Sequence, residues 1–147
     1  MEYRRLGSSG LQVSTVGLGT NNFGSRMVDE AACIKVLRHA VDIGINFIDT
    51  ANIYGGKLSE QFIGNGLKGI RSNVVLATKV YGPMGEGPNQ KGASRQHIAH
   101  EVDNSLKRLQ TDYIDLYKMH TWDPDTPIEE TVRALDDLVH QGKVRYI

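Results

Sequence analysis

Short apolar runs alternate along the chain with longer stretches in which apolar residues recur every three or four positions. A short run predicts a buried β-strand, and a longer stretch with that spacing predicts an amphipathic helix. The predicted strands lie at 16–19, 46–49, 74–79, 113–117 and 144–147. Because a helical stretch separates each strand from the next, the pattern indicates repeated strand–helix units with buried parallel strands.

The segment before the first unit has a different pattern. Residues 1–15 predict a β-hairpin with its turn at Gly7-Ser8-Ser9-Gly10. Four strand–helix units then fill 16–143, and 144–147 begin a fifth strand. We therefore expect 1–147 to be a single, incomplete domain.

The third and fourth predicted helices have distinct starting signals. The third follows Ser94, and its apolar spacing is set by Ala99, Val102, Leu106 and Leu109. The same spacing turns its polar residues toward solvent: Gln96, His97, His100, Asp103 and Lys107. The fourth helix is predicted to open with a capping box, in which Thr126 is the N-cap, Pro127 occupies the first turn and Glu129 completes the box.

The charge balance and the cysteine count exclude several kinds of partner. The 147 residues carry 17 Lys plus Arg and 17 Asp plus Glu, so no basic surface for nucleic acid or an anionic membrane is expected. No run of about eighteen apolar residues is present, and the cytoplasm is the expected location. Cys33 is the only cysteine, and His97, His100 and Glu101 do not follow the H-E-x-x-H spacing, so no metal site is predicted and these three residues are expected on a solvated helix face.

The alternation of predicted strands and helices fits two fold classes equally well, the doubly wound sheet and the (β/α)8 barrel. The first strand–helix turn separates them in part. It reads GLGTNN over 17–22, with Asn22 where a dinucleotide-binding G-x-G-x-x-G motif has its third glycine. A Rossmann fingerprint is therefore absent.

Polar residues capable of acid–base chemistry follow three of the predicted strands. Asp49 follows the second strand, Lys79 ends the third and His120 follows the fourth, while Tyr54 lies in the loop after Asp49. In a parallel barrel the active site is built at these C-terminal strand ends. We therefore expect the four side chains to converge.

Such a set of groups suits protonation of a carbonyl oxygen. A phenol can donate the proton when a cation beside it stabilises the phenolate that is left behind. Lys79 would be that cation for Tyr54, and Asp49 would keep the partly buried ammonium charged and oriented. His120 would hydrogen-bond the carbonyl oxygen.

Five segments resemble, in order, the signatures of the aldo-keto reductases. They are GLGT at 17–20, FIDTANIYG at 47–55, LATKVYG at 76–82, SLKRLQTDYIDLYKMH at 105–120 and GKVRYI at 142–147. The resemblance implies an α/β fold that is about the first half of a (β/α)8 TIM barrel, with outer helices and the N-terminal hairpin. The segment GASRQHI at 92–98 is similar to the branch that contains bacterial reductases and potassium-channel β-subunits.

The resemblance also implies an activity and a division of roles. The family reduces aldehydes or ketones to alcohols with NADPH or NADH, so a small carbonyl compound is the expected substrate. By this resemblance the general acid is Tyr54, the residues that tune it are Lys79 and Asp49, and the residue that orients the carbonyl is His120. The residues expected at the nicotinamide ribose are Gly19, Thr20, Asn21 and Asp49.

The length leaves alternatives to this enzyme open. A (β/α)8 barrel takes about 250 residues, and in the family later segments stack on the nicotinamide and hold the phosphates. A truncated, non-catalytic half-barrel acting as a binding or regulatory subunit is the alternative, with weak dinucleotide binding and self-association through the open barrel edges. A glycoside-hydrolase barrel is disfavoured, because it needs two carboxylates and only Asp49 sits clearly at a strand end.

The sequence does not decide the roles of two further groups of residues near the strand ends. Lys118 shares strand parity with His120, so its charge requires either a carboxylate, for which Asp49 is the candidate, or solvent. Four residues in the adjoining loops either line a substrate pocket or pack beneath the loops: Asn22, Phe23, Tyr81 and Trp122.

Overall fold

The protein, described by a computed structural model over residues 1–27 and 29–147, begins with the predicted hairpin. Strand β1 (Tyr3–Arg5) pairs antiparallel with β2 (Gln12–Ser14). The turn between them includes Gly7 at φ +57°, a backbone conformation that glycine adopts without strain. The hairpin prediction is confirmed.

The remaining strands form one parallel sheet in sequence order. They are β3 (Gly17–Gly19), β4 (Phe47–Asp49), β5 (Val75–Val80), β6 (Ile114–Met119) and β7 (Val144–Tyr146). The order β3-β4-β5-β6-β7 leaves the first of them at an edge, whereas a Rossmann-like sheet would place it in the middle. The topology is that of a barrel progression, as predicted.

In the part of the chain that the structure describes, four α-helices connect these strands. They are α1 (Glu30–Asp42), α2 (Leu58–Gly66), α3 (Arg95–Leu109) and α4 (Ile128–His140). A short 3₁₀ turn at Tyr54–Lys57 precedes α2, and another lies at Arg71–Asn73. Among the described residues no helix is both long enough and apolar enough to cross a membrane.

The start of α4 differs from the predicted capping box. Pro127 is the N-cap residue, and no side chain caps the helix there. The Thr126 hydroxyl instead donates a hydrogen bond to the carboxylate of Asp123 at 2.9 Å. Thr126 therefore lies one position before the N-cap, and its side chain is bound to the preceding loop. Thr126 as N-cap and Glu129 as its partner were the wrong assignment.

The helices cover one face of the sheet and bury its apolar side chains. Ile48 of β4 and Leu76 of β5 have no exposed surface and lie in one core with Leu37 of α1 and Ile63 of α2. Register partners in a parallel sheet point to the same face, and Lys79 pairs with Lys118 while Asp49 pairs with Ala77. The polar residues at the strand ends therefore share the face opposite the helices.

The inward face of α3 is only partly the predicted one, because Val102 and Leu109 are buried as expected but polar residues are buried with them. His97 is fully buried and Glu101 is 2% exposed, whereas Ala99 is exposed. The expectation that His97 and Glu101 belong to a solvated surface was wrong. Apolar spacing alone misassigns part of this helix because its buried face is partly polar, with Glu101 accepting hydrogen bonds from Asn104 and Asn52.

Burial of His97 predicts an acid-sensitive component of stability. Both ring nitrogens are buried without a hydrogen-bond partner among the described residues, and burial lowers the pKa of His97, with Glu101 opposing and His100 reinforcing that shift. As the pH falls below about 6.5, the unfolded chain takes up a proton that the folded chain resists, so stability is lost with a slope of up to ~1.4 kcal/mol per pH unit.

Urea unfolding between pH 5 and pH 7.5 tests this expectation. The variant His97→Gln should lose less stability than the native protein as the pH falls. The exposed histidine of α1 provides the control His39→Gln, which removes one imidazole without touching α3. Equal acid-side slopes in His97→Gln and the native protein would contradict the prediction.

Candidate active site

The four predicted catalytic side chains lie together at the C-terminal edge of the sheet. Asp49 is the last residue of β4, Lys79 is the second-last residue of β5 and His120 directly follows β6. Tyr54 opens the 3₁₀ turn that the chain enters after β4. The register of the sheet brings three of these residues to one place, and the loop brings the fourth over them.

Lys79 is the centre of the cluster. Its ammonium donates to the Asp49 carboxylate at 2.5 Å, to the backbone carbonyl of Thr50 at 2.9 Å and to the Tyr54 hydroxyl at 3.4 Å. The Lys79 side chain is only 13% exposed. Three acceptors match the three N–H bonds of an ammonium, so the charge is satisfied where it lies.

Asp49 is held between two ammonium groups. Lys118 donates to its second carboxylate oxygen at 2.7 Å. The sequence left a carboxylate or solvent as the partner of Lys118, and the structure shows that the partner is Asp49, with about a third of the lysine side chain still exposed. One carboxylate between two cations leaves the cluster with a net positive charge.

The loop that holds Tyr54 needs glycine at its sharpest point. Gly55 has φ +57°, and a Cβ there would lie 2.2 Å from the carbonyl oxygen of Phe23. The backbone N–H of Asn52 donates to the Lys79 carbonyl at 3.1 Å, which ties the loop to β5. The Tyr54 ring consequently meets the His120 ring edge to face, with centroids 5.5 Å apart.

His120 is placed to act as a neutral imidazole. Its backbone N–H donates to the Val80 carbonyl at 3.0 Å, while its Nδ1 is buried and has no hydrogen-bond partner among the described residues. Burial lowers the pKa of His120, the nearby charges of Lys79 and Lys118 lower it further, and Asp49 opposes them. A neutral ring carries one N–H donor and one acceptor nitrogen.

The residues predicted at the cofactor ribose differ in their exposure to solvent. Gly19 pairs with Asp49 in the sheet register and is exposed, and Asn21 is exposed beside it. The Thr20 hydroxyl is buried and already engaged, since it donates to the Asp49 carbonyl and accepts from Ser59, both at 3.0 Å. The Asp49 carboxylate is partly exposed, and the Thr20 hydroxyl holds the Asp49 backbone from inside the protein.

The four loop residues that either line a pocket or pack beneath the loops differ in burial. Phe23 is 3% exposed and belongs to the core, whereas Asn22 is exposed and Tyr81 is half-buried. Trp122 is 65% exposed and lines an apolar cavity of about 310 Å³ with Met119 and Ile128. Packing is therefore the role of Phe23.

A second layer of polar residues behind the site is not indicated by apolar spacing. It comprises Asn52, Glu60, Glu101 and Arg108, which are linked by hydrogen bonds beneath the loop and β5. The available signal was the spacing of Glu101, Ser105 and Arg108, which at i, i+4 and i+7 share one helix face. In the described part of the chain, no group of His, Cys, Asp or Glu side chains is arranged to hold a metal ion.

Five parallel strands in sequence order, with helices on one face and a polar cluster at the C-terminal edge, form half of a (β/α)8 barrel. The chain belongs to the aldo/keto reductase family, whose pattern matches residues 15–147.

Individual relatives agree with this membership. The chain is 45% identical to the aldo-keto reductase YhdN of Bacillus subtilis, over all of this chain and 46% of that protein. It is 40% identical to a probable voltage-gated potassium channel subunit beta of Arabidopsis thaliana, over 99% of this chain and 45% of that protein. The resemblance to bacterial reductases and channel β-subunits is confirmed.

Solved structures give the same result. The holo form of the aldo-keto reductase AKR11C1 from Bacillus halodurans superposes with a TM-score of 0.90 at 41% identity, over 99% of this chain and 49% of that one. A thermostable aldo-keto reductase, Tm1743, superposes with a TM-score of 0.87 at 35% identity. The chain spans about half the length of the relatives it matches.

Proposed function

We propose that this chain supplies the proton-donating half of an NAD(P)H-dependent reductase that converts aldehydes or ketones to alcohols. The observation that supports it most directly is the placement of the Lys79 ammonium, 2.5 Å from Asp49 and 3.4 Å from the Tyr54 hydroxyl, beside the neutral His120. Membership of the aldo/keto reductase family supports the same reaction and the same class of cofactor.

The proposed roles follow from these contacts. NADPH or NADH, when bound, supplies the hydride that the carbonyl carbon accepts. Tyr54 donates its proton to the carbonyl oxygen and becomes a phenolate, and the N–H of His120 orients that oxygen. At 3.4 Å and an effective dielectric near 20, Lys79 attracts the phenolate by about 5 kcal/mol, a ceiling that the neighbouring Asp49 reduces.

The cofactor end of the site is proposed on the same rim. Asp49 and Asn21 would bind the hydroxyl groups of the nicotinamide ribose, with the Gly19 backbone beside them. Thr20 would fix the Asp49 backbone through its buried hydroxyl. This arrangement accounts for the nicotinamide end of the dinucleotide alone.

A second candidate function is favoured by the likeness to a probable voltage-gated potassium channel subunit beta of Arabidopsis thaliana. Strands β3 and β7 are the outer members of the sheet, each with one neighbour, and the relatives are about twice as long. A non-catalytic half-barrel that binds or regulates another protein fits these edges. Such a chain would bind dinucleotide weakly and would tend to self-associate.

One assay separates the two functions. The chain is compared by NADPH fluorescence titration and aldehyde-dependent NADPH oxidation with the same chain joined to the second half of the Bacillus subtilis relative YhdN, and the mass of each in solution is recorded. We expect turnover in the joined protein and weak binding by the chain itself. Steady turnover by a monomer of the chain would refute the half-barrel function, and a folded joined protein without turnover would refute the reductase.

A further inference from the structure

A buried polar network lies directly behind the proposed site, on the helix side of the sheet. Glu60 is fully buried and accepts from Arg108 at 2.6 Å and from the Thr78 hydroxyl at 2.7 Å. Arg108 also reaches Glu101 at 3.5 Å, and Glu101 accepts from the side-chain amide of Asn52 at 3.2 Å. The network therefore runs from β5, through α2 and α3, to the loop after β4.

Its two ends adjoin the segments that present the phenol and the ammonium. Thr78 directly precedes Lys79 on β5. Asn52 stands two residues before Tyr54, and its backbone N–H donates to the Lys79 carbonyl at 3.1 Å. A displacement of Asn52 would thus change the separation of Tyr54 and Lys79.

One side chain of the loop carries a buried hydrogen bond to α3. The Asn52 side chain is fully buried, and its carbonyl oxygen has no partner among the described residues, so the bond to Glu101 is its single tether there.

We propose that Asn52 and Glu101 are positioning residues for Tyr54, because their hydrogen bond fixes the loop that holds the phenol at the Lys79 ammonium. The expected effect on the reaction rate rests on the proposed function. The expected effect on the position of Tyr54 rests on the geometry alone. The Tyr54–Lys79 separation of 3.4 Å is already long for a hydrogen bond, so a small outward movement of the loop breaks it. Misplacement of a reacting group by about 1 Å costs on the order of 100-fold in rate.

The test removes the tether and then rebuilds it with its polarity reversed. Asn52→Ala deletes the donor, and Asn52→Asp sets a carboxylate against Glu101. Combining Asn52→Asp with Glu101→Gln restores a donor and an acceptor in the opposite direction. In the full chain, joined to the second half of YhdN for turnover, we expect kcat to fall about tenfold or more in each single variant, with KM within about twofold, and to recover in the combined one.

A readout that needs no turnover keeps the proposal separate from the reductase assignment. The tyrosine rings are labelled with carbon-13, and the Tyr54 resonance is assigned by its loss in Tyr54→Phe. We expect this resonance to move in Asn52→Ala and to return toward its native position in the combined variant. If it moves while the native joined protein reduces no carbonyl, the positioning link is supported and the proposed function fails.

Asn65→Ala is the matched control, because Asn65 also donates its side-chain amide to a glutamate, Glu30, but between α1 and α2. We expect it to leave kcat within about twofold and the Tyr54 resonance unmoved. Should Asn52→Ala fail to fold, Asn52→Asp and the combined variant provide the same comparison. A folded Asn52 variant with an unmoved Tyr54 resonance and native kcat overturns the proposal.

Discussion

Tyr54→Phe is expected to lower the kcat of carbonyl reduction by about 100-fold or more, because it deletes the only hydroxyl that the Lys79 ammonium contacts in the described part of the chain. The ring and its edge-to-face contact with His120 are retained. The substitution therefore tests the proton and not the packing. Single-turnover measurement of NADPH oxidation with an aldehyde, in the chain joined to the second half of YhdN, gives the rate of the chemical step.

The loss should appear in the rate of chemistry and not in the binding of NADPH. Tyr3→Phe is a matched control, because it also removes one tyrosine hydroxyl. Tyr3 lies in the N-terminal hairpin, and its hydroxyl donates to the carbonyl of Gly44, which follows α1. We expect that variant to turn over within about twofold of the native rate. Native turnover in Tyr54→Phe would exclude Tyr54 as the general acid and transfer that role to another group.

The part of the site that sequence predicts best is the part set by strand ends. Asp49, Lys79 and His120 each follow or finish an apolar run, and parallel strands bring such positions to one edge whatever the helices do. The position of Tyr54 is also predicted, because the loop from Asp49 to Tyr54 is too short to carry the tyrosine far from the strand ends. The alternation of side chains along a strand already placed Lys118 on the same face as the other site residues. The choice between Asp49 and solvent as its partner required the three-dimensional structure.

The residues behind the site show where sequence reasoning stops. Apolar spacing assigns polar residues of α3 to solvent, yet His97 and Glu101 face inward. Their burial depends on partners from other elements, such as Asn52, which lies 49 positions before Glu101. Hydrogen bonds over that separation have no local pattern in the chain, so a buried polar face and a solvated one look alike until the fold is known.

The same reasoning accounts for Thr126 and Thr20. A threonine before a proline and a glutamate matches a capping box, but the helix begins one residue later and the Thr126 hydroxyl donates to Asp123. Thr20 was predicted at the cofactor, and its hydroxyl is used inside the protein by Asp49 and Ser59. In both cases a tertiary or neighbouring acceptor decides what a hydroxyl binds. Whether Thr20 also touches a bound cofactor stays a prediction.

Arg108→Met is expected to lower the free energy of unfolding by about 3–5 kcal/mol, the largest effect on stability that the contacts predict. Arg108 is 12% exposed and donates to Glu60, which is fully buried, and to Glu101, which is 2% exposed. Methionine retains much of the arginine's length without its charge or donors. Two buried carboxylates then lose their shared cation, and buried anions without a cation are costly.

Urea unfolding should show this as a lower midpoint with an unchanged slope, since the folded state is weakened while its surface area is preserved. Arg95→Met is the control, because Arg95 pairs with Asp137 on the surface, where both side chains are about half exposed and a pair contributes at most about 1 kcal/mol. Adding Glu60→Gln to Arg108→Met should recover part of the loss by removing one of the two stranded charges. If Arg108→Met and Arg95→Met destabilise the protein equally, the network behind Tyr54 and Lys79 is solvated in solution and its carboxylates do not depend on Arg108.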